Sequence, residues 1–306
     1  MKVLIVGSNG LVGSACKKIF SKSNKLSELI TSNRSDTNLF DLEETKKLIS
    51  KSQPDVLINA AAKVGGIHAN NTQRVDFLLE NLKINCNLLE ACIDNPKIKI
   101  INLGSSCIYP LDAEDPIKEE DLMSGKLEPT NSPYAMAKIT AIELGRALHI
   151  QYGNDVINLM PTNLYGPNDN FSPISSHVIP GLIRRMHDAK IEKSDSFKIW
   201  GSGKPLREFM YSEDLADFIE FILDKEINYD LINVGSGIEI SILELAKIIK
   251  KIIGFEGELD FDNSMPDGNP RKLLDISKLK KIGWEHSTSL ENGLTKTYDW
   301  YLKNLN

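Results

Sequence analysis

The 306-residue chain has no apolar run approaching the roughly 20 residues a bilayer span requires, which excludes a transmembrane helix. It also lacks a basic surplus. With 36 Lys and Arg against 42 Asp and Glu, the formal net charge is -6, which argues against a nucleic-acid partner. Any anionic ligand must therefore be met by particular Arg or Lys side chains. Cysteine is scarce. Cys16, Cys86, Cys92 and Cys107 show neither metal-ligand spacing nor the density of a disulfide scaffold, so reduced thiols, a cytoplasmic location and no bound metal are expected. The first three fall in apolar helical patterns and read as small core residues. No internal repeat or low-complexity tract is visible. No export signal is expected either, because residues 1–6 run directly into a strand. What is present is ordinary material for a globular protein, 41% hydrophobic and 25% charged, enough for one large domain or two.

Residues 2–6 lead into Gly7-Ser8-Asn9-Gly10-Leu11-Val12-Gly13 and then a helical stretch to about residue 20. Strand, tight turn and helix N-terminus in that order suit a dinucleotide. The glycines permit the turn, let the backbone approach a pyrophosphate and let the helix pack on the strand, while free N–H groups face the anion. A second strand over 28–32 ends in Asn33-Arg34, where NAD-binding proteins usually place an acid on the adenosine ribose. An Arg can instead bind a 2'-phosphate bidentately, which favours NADP(H). The alternative is a solvated Arg34, with Asp36 or Asp41 on the ribose. Asp41 and Leu42 are expected after a further short strand, beside the adenine. Strands over 54–60, 98–103 and 156–160 alternate with helices over 72–94 and from Tyr134 onward. That alternation predicts an α/β, Rossmann-type, doubly wound parallel sheet, with ligands at the carboxyl ends of its strands.

Gly104-Ser105-Ser106-Cys107 follows one of these strands, and Ser132-Pro133-Tyr134-Ala135-Met136-Ala137-Lys138 opens the next helix. Positions i and i+4 share a helix face, so the Tyr134 hydroxyl and the Lys138 ammonium can point into one cleft. A neighbouring cation favours phenolate and is expected to lower the Tyr134 pKa, bringing proton transfer within reach at neutral pH. Ser105 would hydrogen-bond the oxygen that Tyr134 protonates. After Pro161-Thr162-Asn163-Leu164-Tyr165-Gly166-Pro167 the pattern loosens over 168–180 into a loop reaching a second region. A helix over 178–189 carries Arg184 and Arg185, and Trp200 and Arg207 follow. Guanidinium and indole suit a nucleoside diphosphate; the alternative is a surface helix with solvated charges. Ser212 is expected to cap a helix, residues 231–234 to return a strand to the sheet, and Ser241 to begin an amphipathic helix. The expected organisation is an NADP-binding domain at 1–164, rejoined at about 208–235, and a smaller α/β substrate domain at 165–207 and 236–306.

The glycine turn, Ser105 and Tyr134-x-x-x-Lys138 resemble the extended short-chain dehydrogenase/reductase family. Further segments narrow the resemblance to its GDP-sugar epimerase-reductases, nearly end to end. They are Ala60-Ala61-Ala62-Lys63-Val64-Gly65-Gly66-Ile67 with Ala69-Asn70-Asn71-Thr72, Leu103-Gly104-Ser105-Ser106-Cys107-Ile108-Tyr109-Pro110, and the Pro161 to Pro167 run. Ser176-His177-Val178-Ile179-Pro180, Pro266-Asp267-Gly268 and Pro270-Arg271-Lys272 complete them. The resemblance implies an NADPH-dependent enzyme that epimerises GDP-4-keto-6-deoxy-D-mannose at C3 and C5 and then reduces its 4-keto group. It implies Ser105, Tyr134 and Lys138 as the reductase triad, Cys107 and His177 as epimerisation base and acid, and Arg185, Trp200, Arg207 and Asp267 as substrate contacts. The cofactor is implied to lie along Gly7, Ser8, Asn9, Gly10, Leu11, Val12 and Gly13, then Arg34, Asp41 and Leu42. Leu103, Gly104, Ser105, Ser106, Lys138, Pro161, Thr162, Asn163, Leu164 and His177 complete that implied surface. Asn9 stands where some relatives have Arg, which removes one partner for a 2'-phosphate. A homodimer is expected through the helices over 72–94 and 134–152, apolar on more than one face and pairing with their copies as in relatives. The residues leave open a relative acting on a 3,6-dideoxy sugar. A 4,6-dehydratase would need an acid beside Ser105, which Ser106-Cys107 does not supply. A non-catalytic dinucleotide sensor would have no use for the triad's proton donor.

Overall fold

The computed structural model describes residues 1–173, 175–264 and 267–305; Pro266 of the motif above lies outside them. β1 (Lys2–Val6) has Val3, Leu4, Ile5 and Val6 wholly buried, as a strand covered on both faces requires. It is followed by α1 (Leu11–Phe20), β2 (Glu28–Ser32), α2 (Leu42–Ser52), β3 (Val56–Asn59), α3 (Ile67–Thr72) and α4 (Arg74–Glu90). Then come β4 (Lys99–Leu103), α5 (Ser132–Tyr152), β5 (Asp155–Pro161), β6 (Asn163–Tyr165), α6 (Val178–Ile191), β7 (Ser196–Trp200) and β8 (Leu206–Tyr211). The chain ends through α7 (Ser212–Ile222), β9 (Leu231–Val234), β10 (Glu239–Ser241), α8 (Ile242–Ile253), β11 (Glu258–Asp262), α9 (Ser277–Ile282) and α10 (Leu290–Lys303).

Among the described residues the main sheet has six parallel strands in the order β2-β1-β3-β4-β5-β9, the doubly wound arrangement expected. Strand order reverses between β1 and β3, so a crevice opens at their carboxyl ends. α1 and α7 cover one face, with Cys16, Phe20, Leu215 and Phe218 in its core. α2, α4 and α5 cover the other, around Leu4, Leu57, Leu88 and Leu148. β10, β8 and β6 form a small sheet and β11 pairs with β7. A separate apolar cluster joins α6, α8, α10 and β7 through Ile183, Met186, Ile199, Ile249 and Tyr298. No helix among the described residues is long and apolar enough to cross a membrane.

A polar row runs through this apolar sheet. Asn59, Asn102 and Asn158 occupy one register position on β3, β4 and β5. Asn59 donates to Asn102 at 2.9 Å and Asn102 to Asn158 at 3.0 Å. Leaving a buried amide unpaired costs about 1–3 kcal/mol, so a slipped strand is penalised and the strand ends stay level.

Two local expectations change. The helix expected over 72–94 is α4, Arg74–Glu90, and a separate short helix, α3, precedes it, divided from it at Gln73 (φ -112°, ψ 41°). The Asn70 and Thr72 side chains bond carbonyls of the preceding turn, and this competition with the backbone ladder favours a stop. Ser212 is not a cap. β8 runs straight into α7, Tyr211 holds the cap position, and the Ser212 hydroxyl is buried without a hydrogen-bond partner.

Candidate active site

The turn after β1 is built on missing side chains. Gly7 has φ +73°, and a Cβ there would lie 2.6 Å from the Ala60 carbonyl; at Gly13 it would overlap the Gly7 carbonyl oxygen. At Gly10 the nearest atom to an added Cβ is the Gly7 oxygen at 3.5 Å, so its absence opens the N-terminus of α1. Leu11 and Val12 form the first turn of that helix, and Ser8 is buried with its N–H on the Ser32 carbonyl at 3.1 Å. A cavity of about 380 Å³ lies over this turn, lined by Gly7, Asn9, Gly10, Arg34, Phe40, Ala61, Lys63 and Glu80 among others. Free helix N–H groups at one end and cations at the other fit a dinucleotide phosphate.

Arg34 lines that cavity with its side chain 80% exposed, its guanidinium 5.3 Å from the Phe40 ring centre. Its 3.5 Å pair with Glu80 is a surface contact of little strength. Asn9 accepts from Lys17 at 3.3 Å. Asp36 is tied to the Asn33 N–H at 2.9 Å, within its own turn. Asp41 departs from expectation. No further strand lies between β2 and it; it is the N-cap of α2, its carboxylate accepting from the Glu44 N–H at 2.9 Å. Neither Asp41 nor Leu42 lines the cavity, where Leu39 and Phe40 stand instead. An extended Asp directly before a helix is engaged by the unpaired N–H groups of the first turn.

At the end of β4, Gly104 donates to the Leu159 carbonyl at 2.9 Å and Ser105 begins a short 3-10 turn, Ser106–Ile108. The Ser105 hydroxyl oxygen accepts from the Cys107 N–H at 3.3 Å. α5 starts at Ser132 with Pro133 in its first turn, where a missing N–H is harmless, and so presents Tyr134 and Lys138 on one face. The Lys138 ammonium donates to the Leu103 carbonyl at 2.6 Å and lies 5.7 Å from the Tyr134 ring centre. The expected lowering of the Tyr134 pKa is not what this arrangement gives. Burial raises it, and the Cys107 charge adds to the rise, while burial brings Lys138 itself down to about 8. Desolvation outweighs a cation already spent on a carbonyl.

Burial also raises the Cys107 thiol, and the largest opposing influence is the charge of Lys272, ahead of the Ser105 hydrogen bond and Lys138. Lys272 is missed by sequence reasoning as a neighbour of Cys107, although it stands in the Pro270-Arg271-Lys272 segment. Its place is set by two hydrogen bonds of the next residue: Leu273 N–H to the Asp115 carboxylate at 2.7 Å and Ile117 N–H to the Leu273 carbonyl at 2.8 Å. His177 is the N-cap residue of α6. The residue as a whole is exposed, but the protein packed around its imidazole desolvates it and pushes its pKa down, an effect partly offset by a hydrogen bond with the Gly65 backbone. A Cβ on Gly65 would lie 3.2 Å from Phe77, and Phe77 meets Tyr134 edge-on at 6.2 Å between centres. Phe77 thus links the His177 side of the site to the Tyr134 side. Asn70, also missed, holds the Gly65 carbonyl at 2.7 Å. By contrast, burial lifts Cys16 and Cys92 to about 12, as inert core thiols.

The two arginines on α6 separate. Arg184 pairs along the helix with Asp188 at 2.9 Å, whereas Arg185 lies over the Trp200 ring at 4.2 Å and donates to the Lys198 carbonyl at 3.2 Å. Burial lowers Arg185 to about 10 and also lowers Arg207, which donates to the Leu206 carbonyl at 2.7 Å. Asp267 accepts from the Ser202 N–H at 2.6 Å and hydroxyl at 2.8 Å, bracing the turn after Trp200. A Cβ on Gly268 would contact both Arg207 and Ile67, which brings this group against the Gly65-Gly66 loop. Thr162 and Asn163 both donate to the Glu208 carbonyl, at 3.2 and 2.8 Å, fastening the end of β5 to β8; Pro161 closes β5 and Leu164 lies in β6.

A parallel sheet with a glycine turn at its switch point, and a Ser-Tyr-Lys group beyond β4, defines a class. Residues 3–235 match the NAD dependent epimerase/dehydratase family, and the chain belongs to it, in keeping with the extended short-chain dehydrogenase/reductase resemblance. Within that family it is 47% identical over 304 residues to GDP-L-fucose synthase 1 of Arabidopsis thaliana, covering 99% of this chain and 94% of the relative. GDP-L-fucose synthase of Escherichia coli (strain K12) is 44% identical over 312 residues, covering 99% and 97%. Among solved structures, a GDP-L-fucose synthetase from Naegleria fowleri bound to NADP superposes with a TM-score of 0.91 at 31% identity, covering 99% and 94%.

Proposed function

We propose that this chain converts GDP-4-keto-6-deoxy-D-mannose to GDP-L-fucose, epimerising C3 and C5 and then reducing C4, as an NADP-dependent oxidoreductase with epimerase activity. The observation that carries the reading is one electrostatic unit: Ser105, Cys107, Tyr134 and Lys138 gathered beyond β4, with Lys272 acting on the same thiol. Full-length identity to proteins named GDP-L-fucose synthase supports the choice of sugar.

A 4-keto group acidifies C3–H and C5–H because the resulting enolate places charge on the C4 oxygen. Ser105 and Tyr134 donate hydrogen bonds to that oxygen, and one such preorganised donor is worth about 2.7–4 kcal/mol. Cys107 takes the proton as thiolate, which Lys272 and Lys138 favour against the effect of burial. His177 returns a proton from the other face; since burial holds its pKa below the usual range, it does so more readily as the medium becomes acid. Bound NADPH supplies the hydride to C4. Tyr134, whose phenol is protonated at neutral pH, then gives its proton to the C4 alkoxide. Lys138 orients the nicotinamide ribose, and Gly7 to Gly13 with Arg34 hold the phosphates. Arg185, Arg207 and Trp200 receive the GDP moiety, the guanidinium groups on phosphate and the indole on a ring.

The test incubates purified protein with the keto sugar and NADPH and follows cofactor oxidation together with the stereochemistry of the product. Oxidation yielding a product inverted at C3 and C5 is expected. A product reduced but not inverted, or no oxidation, contradicts the reading.

A further inference from the structure

Glu80, on α4, stands at the edge of the cofactor cavity between two cations that line it. One carboxylate oxygen accepts from the Lys63 ammonium at 2.9 Å, and the other faces the Arg34 guanidinium at 3.5 Å. The two cations differ in how firmly they are held. Asn81 grips the Lys63 backbone through two hydrogen bonds of 3.0 Å, and Asp76 adds a second carboxylate 3.6 Å from its ammonium. Arg34 has its side chain 80% exposed and rests over Phe40, which Lys83 flanks at 5.9 Å. Arg34 is therefore the group free to re-aim at a ligand, and Glu80 is the anion competing for it.

A ribose 2'-phosphate and a ribose 2'-hydroxyl differ chiefly in charge. The phosphate must draw Arg34 away from Glu80 and come to rest near that carboxylate; a hydroxyl meets neither cost. Asn9 offers no cation in compensation and is itself bonded to Lys17. We propose that Glu80 sets the cofactor specificity of this site by restraining Arg34, so that the protein distinguishes NADPH from NADH less sharply than its Arg34 alone would allow. The proposal rests on the reading of Arg34 as the 2'-phosphate ligand. Glu80→Gln keeps the shape of the side chain, removes its charge and leaves Lys63 paired with Asp76.

The experiment measures Kd for NADPH and NADH by direct titration of the unliganded protein, and KM for both in turnover, for the wild type, Glu80→Gln and Arg34→Ala. Glu80→Gln is expected to tighten NADPH by roughly two- to fivefold at low ionic strength, with NADH essentially unchanged. The gain should shrink as salt is raised, because it is Coulombic. An unchanged NADPH-to-NADH ratio overturns the proposal, and so does an equal loss for both cofactors, which would make Glu80 a support for the loop. Arg34→Ala separates the two levels of the argument: it is expected to weaken NADPH far more than NADH. Equal weakening by Arg34→Ala contradicts the placement of the 2'-phosphate itself, whatever Glu80→Gln does.

Discussion

Burial raises the Tyr134 pKa above the ordinary phenol value, so the group begins protonated at neutral pH, as a proton donor to an alkoxide must. The spacing Tyr134-x-x-x-Lys138 is legible in the sequence because it follows from helix geometry alone. The balance between burial and the nearby cation is not, since it depends on atoms from β4 and on where the Lys138 ammonium is already bonded. Lys272 beside Cys107 and Glu80 beside Arg34 escape sequence reading for a similar reason: both pairings join segments distant in the chain. Another buried group carries a pH dependence. The Asp169 carboxyl has one oxygen buried without a partner, and burial lifts its pKa from 3.8 to about 7. Between those values the folded protein retains a proton that the unfolded chain releases, so this group's contribution to stability is present below pH 3.8 and is lost as pH rises through about 7. Asp169→Asn should therefore raise the melting temperature more at about pH 8 than at about pH 4. An equal change at both would contradict the assignment.

The strands of the main sheet and their alternation with helices are evident from apolar runs and the glycine turn, because a doubly covered strand leaves a continuous apolar signature; the short strands β6, β7, β8, β10 and β11 leave none and are not. Nor is the short helix α3 ahead of Gln73, and it matters, since α3 follows directly on the loop that reaches toward His177. The Gly66 N–H donates to the Ser175 carbonyl at 3.0 Å, and Asn70 donates to the carbonyls of Gly65 and Gly66 at 2.7 and 3.1 Å. A Cβ on Gly66 would lie 2.5 Å from the Ser176 carbonyl oxygen. Gly66→Ala should push the segment before α6 outward and displace His177 while leaving Cys107 and Tyr134 in place. Completed inversion is expected to fall, by up to roughly 10²-fold for a group moved an ångström, with NADPH oxidation better preserved. The ratio of inverted to uninverted product, read by NMR, decides; an unchanged ratio would place His177 outside the proton relay.

At the scale of the molecule, α4 and α5 pack side by side and leave Val75, Leu79 and Met136 exposed, at 66%, 48% and 47%. Val75 and Leu79 are four residues apart on one helix face, so these side chains can meet their copies across a twofold axis. A homodimer is expected by light scattering at micromolar concentration, and Val75→Glu with Leu79→Glu should reduce it to monomer. A monomeric wild type would contradict this interface. On the proposed function, one pocket performs two separable chemistries, proton transfer at carbon through Cys107 and hydride reduction supported by Tyr134, Ser105 and Lys138. The most direct measurement follows Cys107→Ser in deuterated water with the keto sugar and NADPH, reading label at C3 and C5 alongside cofactor oxidation. A serine hydroxyl is a far poorer base than a thiol, so little or no deuterium should enter either carbon while NADPH is still oxidised slowly to an uninverted 6-deoxy sugar. Deuterium entering at the wild-type rate would contradict the account, leaving Cys107 a bystander and the base elsewhere.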